Sequence, residues 1–151
     1  MNNSIVFLTV ILTLTGLGVL FAQQESETAR PRGDLYVVIT GYPTTQGTIK
    51  IALFGSERSY QSNVAPLRGD SIRIEPNRTL VPFEDISYGD YAVKVYHDQN
   101  NDGKLNTNFM GIPTEFYGFS NNARGTFGPA SWSAAKFKFE AVRDSIHIVL
   151  K

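Results

Sequence analysis

The residues best suited to chemistry lie in one short stretch, Asp98-Gln99-Asn100-Asn101-Asp102-Gly103-Lys104-Leu105-Asn106. An oxygen-bearing side chain recurs at every second position, and a glycine follows the third. Loops that wrap a hard cation such as calcium use that spacing, because calcium accepts carboxylate, amide and backbone oxygens together. Asp98, Asn100 and Asp102 would supply side-chain oxygens at the first, third and fifth positions. Gly103 would permit a sharp turn, Lys104 would offer its carbonyl, and Asn106 its side chain or a bridging water. The last ligand position of a helix-flanked calcium loop is a bidentate glutamate, and here it is Phe109. The preceding segment also reads as a strand, so the loop is not an EF-hand. Glu115 is the nearest downstream acid that would complete a site. The same residue types also suit a turn that caps its own backbone without metal. With so few carboxylates, a bound calcium is expected at weak affinity, about 0.1–1 mM, as a structural clamp and not a sensor.

A second group is aromatic. Phe109, Phe116, Tyr117, Phe119, Phe127 and Trp132 lie among Asn, Ser and Gly. Exposed rings beside amides would stack on a sugar or grip a protein partner. Phe116, Tyr117, Phe119 and Trp132 are the candidate ligand-binding residues. The competing expectation is that the rings fold back and cover one end of the domain, since large aromatic side chains bury most of their surface.

Catalytic constellations are missing from the sequence. The only histidines are His97 and His147, too few for a histidine-based zinc site. His97 and Asp98 are neighbours on a strand and so point to opposite faces. Gly118-Phe119-Ser120-Asn121-Asn122 lacks the second glycine of a nucleophile elbow, and no phosphate-cradling loop occurs. No catalytic residue is assigned and the chain is read as a non-enzyme.

These residues need elements to position them. Apolar residues make up 42% of the chain, and the many Tyr and Phe favour strands. Strand patterns occur at Leu35–Thr40, Thr48–Phe54, Ser71–Glu75, Leu80–Phe83, Tyr91–His97, Lys136–Phe139 and Ser145–Leu150. The first two read as a hairpin around Gln46-Gly47. Tyr91, Val93 and Val95 share one face, and Ala92, Lys94 and Tyr96 the other. About seven short strands and no convincing amphipathic helix predict an all-β, antiparallel Greek-key sandwich. Thr107–Ser133 stands out as a long aromatic loop.

Ile5–Phe21 is nearly all apolar and uncharged, and Ala22 precedes the polar run Gln23-Gln24-Glu25-Ser26. This predicts a signal helix in residues 1–22, a linker over 23–33 and a sandwich domain over 34–151. An uncleaved membrane anchor is the rival reading. Either one delivers the domain outside the cytoplasm, to the periplasm or the medium. Once the signal is cleaved, no membrane insertion is expected. No cysteine occurs, which excludes disulfides and thiolate metal sites. Basic and acidic residues balance at 14 each, so no basic field attracts nucleic acid.

From Leu35 onward the chain resembles the exported bacterial family called domain of unknown function 2141. The likeness is carried by Phe83–Val93, by His97–Leu105, by Gly111–Ala123 and by Phe127-Gly128-Pro129. The resemblance implies a prealbumin-like or carboxypeptidase-regulatory-like sandwich and no established activity. It also implies that Asp is commoner than Asn at position 106, so this chain has lost a charge from its ion loop. The expectation is an exported, non-catalytic module with a calcium-braced loop and an unidentified protein or glycan partner at the cell envelope. The alternative is a carbohydrate- or peptide-binding module that uses the aromatic segment 109–132.

Overall fold

A computed structural model of the chain describes residues 30–151. The expected signal segment 1–22, and residues 23–29 of the expected linker, lie outside them.

The domain is all-β, as expected. Its elements in chain order are β1 (Arg32–Thr40), β2 (Thr48–Phe54), α1 (Glu57–Ser62), β3 (Arg68–Arg73), β4 (Thr79–Ser87), β5 (Gly89–Asp98), β6 (Tyr117–Phe119), α2 (Trp132–Ala135), β7 (Phe137–Phe139) and β8 (Arg143–Val149). One sheet runs β4-β1-β8; the other runs β3-β2-β5-β6, with β7 pairing the start of β5. Among the described residues the strands number eight where about seven were expected, because Tyr117–Phe119 is too short to register as an alternating run. One pair, β1 with β8, is parallel and the other pairings are antiparallel.

The core follows from alternation. Leu35, Val37 and Ile39 of β1 face Ile49, Ile51 and Leu53 of β2 and Val93 and Val95 of β5 across the sandwich, all buried. β1 and β2 therefore lie in different sheets, and the expected hairpin does not form. Both edges of β1 are taken, by β4 and β8. The connection through Gly41-Tyr42-Pro43 carries the chain across the roughly 10 Å between the layers. The first strand also begins at Arg32, inside the expected linker, where Arg32 Nε donates to Asp85 Oδ1 at 2.6 Å.

A second apolar cluster forms on the outer face of the larger sheet. Phe54, Tyr60, Ala92, Phe119, Ala130 and Ala135 are buried there under α1 and α2. Ser56 starts α1 by accepting the Ser59 N–H, and Asn63 ends it in the left-handed region at φ 55°. Sequence periodicity missed both helices, since neither is long enough to show a helical face. The 107–133 segment is not structureless either. It contains a bridge between Thr107 and Pro113, then β6, a 3-10 turn at Ser120–Asn122, and the start of α2. Among the described residues no helix is long and apolar enough to cross a membrane.

Candidate functional site

β5 ends at Asp98, whose side chain is fully buried beneath the loop that follows. Its Oδ1 accepts the Asp102 N–H at 3.1 Å and its Oδ2 the Gly103 N–H at 2.9 Å. Lys50 Nζ stands 3.8 Å from Oδ2. Asn100 Oδ1 also accepts the Asp102 N–H, at 3.1 Å, and Asp102 Oδ1 accepts the Lys104 N–H at 2.8 Å. The amides of Asn100 and Asn106 both donate to Asp102 Oδ2, at 3.2 and 2.9 Å. The Asn106 amide first, and then the Lys104 N–H, hold the Asp102 carboxyl below the usual carboxylate range. Gly103 takes the turn at φ 78°, a conformation a Cβ would strain.

Glu115 comes from the bend just before β6. It is buried, and its two oxygens accept the N–H groups of Gln99 and Asn106, each at 2.9 Å. Five of the six expected ion-loop residues, Asp98, Asn100, Asp102, Asn106 and Glu115, are thus drawn together through their side chains. Lys104 joins through its N–H. Among the described residues no three His, Asp or Glu side chains are grouped to hold a metal by themselves. A cation here would have to draw on amide and backbone oxygens as well.

His97 lies on the opposite face of β5. It is buried, its Nε2–H donates to the Gln46 carbonyl at 2.6 Å, and its ring meets Tyr42 edge-on. Its Nδ1 has no partner among the described residues. His97 and Asp98 therefore face apart, as strand alternation required.

Beside the helices, the outer face of the larger sheet holds a groove of about 490 Å³. Strand register builds its floor. Lys50 lies opposite Tyr96, Ala52 opposite Lys94, and Tyr96 opposite Tyr117. Gln61 and Asn63 border it on the α1 side, and Gly103, Lys104 and Leu105 of the Asp98–Asn106 loop also line it. The Tyr96 hydroxyl donates to the Gly103 carbonyl at 2.9 Å and ties this wall to the floor. Burial, then the charges of Asp98, Glu115 and Asp102, push the Tyr96 hydroxyl up. Lys94 Nζ donates to the Tyr60 carbonyl at 2.6 Å and sits 4.3 Å from the Tyr60 ring centroid. Burial pushes its ammonium below the usual lysine range.

The four aromatic candidates do not form one surface. Tyr117 and Phe119 line the groove. Phe116 packs on the main core, and Trp132 meets Tyr60 edge-on in the second cluster. By contrast Phe109 and Phe127 stand 97% and 100% exposed. Phe109 sits on a hairpin tip held by Asn108, whose Oδ1 accepts the N–H groups of Met110 and Ile112, both at 3.0 Å. Sequence reasoning missed Lys50 and Lys94 as site residues. Their outward phase beside Tyr96 was readable, but not the pairing that gathers them.

The family model described as "Uncharacterized protein conserved in bacteria (DUF2141)" matches residues 37–147. The match takes in the Asp98–Asn106 loop, the groove floor and most of both sheets, so the chain belongs to that family. No match was found among the curated proteins or the solved structures.

Proposed function

We propose that this member of the bacterial family is an exported, non-catalytic interaction or accessory module of the cell envelope, with its Asp98–Asn106 loop braced by calcium. One observation supports the reading: the side-chain amides of Asn100 and Asn106 are gathered around a single carboxylate oxygen, Asp102 Oδ2. Turning the Asn106 amide over exchanges Nδ2 for Oδ1 and sets two oxygens side by side. Two facing oxygens repel each other unless a cation lies between them. Calcium would supply that cation, and Asp98, Asn100, Asp102, Lys104, Asn106 and Glu115 are the residues it would draw on or be framed by. The balanced charge of the chain argues against a nucleic-acid partner. The apolar segment Ile5–Phe21 supports export.

Thermal unfolding of the full chain in EDTA, in millimolar calcium and in millimolar magnesium tests this reading. At an affinity of about 0.1–1 mM, ~5 mM calcium adds roughly 1–2 kcal/mol and raises the midpoint by several degrees. Magnesium, which keeps its own waters, gives less. An unchanged midpoint in calcium sinks the proposal.

The groove favours a second reading, a carbohydrate- or peptide-binding module. The ion loop lines it, so a braced loop is also a fixed wall. Of the four aromatic candidates Tyr117 would meet the ligand, while Phe119 and Trp132 would hold the apolar cluster beside it and Phe116 would pack behind the sheet.

A further inference from the structure

We infer that the groove over β2, β5 and β6 is a binding site for an acidic saccharide, a short chain of hexuronate type. The inference rests on the binding-module reading and gives it a ligand class. Its first support is charge. Three lysines, Lys50, Lys94 and Lys104, line the groove and no Asp or Glu does, in a chain whose charges balance overall. Lys50 spends part of its charge on Asp98. Among the described residues neither Lys94 nor Lys104 has a carboxylate within salt-bridge reach.

Lys94 is the more telling of the two. Its ammonium is half-buried over the Phe54 and Tyr60 rings, with one short hydrogen bond to a carbonyl and a longer one, 3.4 Å, to Asn63 Oδ1. Neutral acceptors and ring faces leave the positive charge uncancelled, and burial raises what an anion gains by approaching it. A carboxylate or other anion is the complementary group.

The second support is shape. Tyr96 and Tyr117 stand directly opposite each other on neighbouring strands, so their side chains are adjacent on the open face. Two adjacent rings offer apolar surface to the C–H face of a pyranose, and the Arg124 guanidinium stands 5.7 Å from the Tyr117 ring centroid. The side-chain amides of Gln61 and Asn63 lie at the rim, where sugar hydroxyls need both donors and acceptors. An acidic peptide uses the lysines but has less need of two neighbouring rings.

Calorimetric titration of the full chain with trigalacturonate, with maltotriose as the neutral control and triglutamate as the peptide control, decides the matter. Trigalacturonate should bind at about 1 mM or tighter, weaken with added salt, and lose about three- to tenfold in affinity in Lys104→Gln and Lys94→Gln. Lys104 is exposed, so its variant reads the groove without disturbing the core. Equal binding of maltotriose, or uronate binding that neither lysine variant alters, overturns the acidic-saccharide inference and leaves a sugar-binding module standing. Binding of triglutamate alone overturns the saccharide and keeps the peptide form of that module. If none of the three binds at about 10 mM, the module reading falls together with the inference.

Discussion

Asp98 and Glu115 close the same loop from two sides. Asp98 takes the N–H groups of Asp102 and Gly103 from beneath, and Glu115 takes those of Gln99 and Asn106 across the loop's ends. Both carboxylates are buried. Their hydrogen bonds satisfy four backbone donors that a loop this close to the core would otherwise leave unpaired. The loop thus has a scaffold of its own, and a bound cation would stiffen it further.

Replacing Glu115 by Ala leaves two N–H groups without their charged acceptor. The expected loss is about 2–4 kcal/mol of folding stability. Glu115→Gln retains one acceptor oxygen but turns an NH2 toward the other donor, so about half that loss is expected. Urea unfolding of the two variants beside the parent measures both. A loss well under ~1 kcal/mol for the alanine variant means the loop does not depend on this latch.

Asp102 and Asp98 separate the ion from the scaffold. Asp102 is exposed and its hydrogen bonds stay within its own loop, so Asp102→Ala lowers the EDTA midpoint only slightly and abolishes the calcium-induced rise. Asp98 is buried and binds backbone, so Asp98→Ala lowers the midpoint in EDTA as well. Differential scanning calorimetry in the two media reads the pattern. If Asp102→Ala lowers both midpoints equally, the loop is a self-capped turn and calcium is irrelevant to it.

This division explains what was legible in the chain. The gathering of side chains in the Asp98–Asn106 loop could be read because its signal is local: oxygen side chains at every second residue, then a glycine. The core was readable for the same reason, since Leu35-Val37-Ile39 and Tyr91-Val93-Val95 carry a period of two. The groove was not readable. It depends on Lys50, Tyr96 and Tyr117 becoming neighbours, which strand register decides and alternation cannot. The same gap produced the expected hairpin of β1 and β2. Proximity in sequence suggested pairing, but it could not reveal that β4 and β8 occupy both edges of β1. The aromatic segment misled by composition, since Phe119 and Phe109 look alike in sequence yet one is buried and the other bare.

Gly47 fixes where the loop's first turn sits against β2. It adopts φ 87°, and a Cβ there would lie 2.2 Å from the Asp98 carbonyl oxygen and 2.7 Å from the Gln99 Cα. Both neighbours are backbone, so no side chain can swing away. Gly47→Ala is expected to cost about 3 kcal/mol or more. It should also weaken any calcium response, because the shift falls on the first residues of the Asp98–Asn106 loop. A variant with parental urea midpoint would show that this contact yields easily.

Alkaline stability depends on Tyr60. Burial pushes its hydroxyl up to about 12, against about 10 in an unfolded chain. Between those values the folded state keeps a proton that the unfolded state has lost, so stability falls as pH rises from about 10 toward 12. Tyr91 and Tyr96 are also raised by burial and add to the same fall. Lys94 acts in the opposite sense. Its lowered value means the folded state sheds its proton first, so stability gains from that folded value up to about 10.4. Tyr60→Phe should flatten the alkaline fall. It should also cost about 1–3 kcal/mol at neutral pH, because the Ala130 carbonyl loses the hydroxyl that donates to it at 2.9 Å. Urea midpoints of parent and variant from pH 8 to about 11.5 measure both effects. Parallel curves for the two proteins would mean that Tyr60 ionises as freely folded as unfolded, and that the layer over the outer sheet face is open to water.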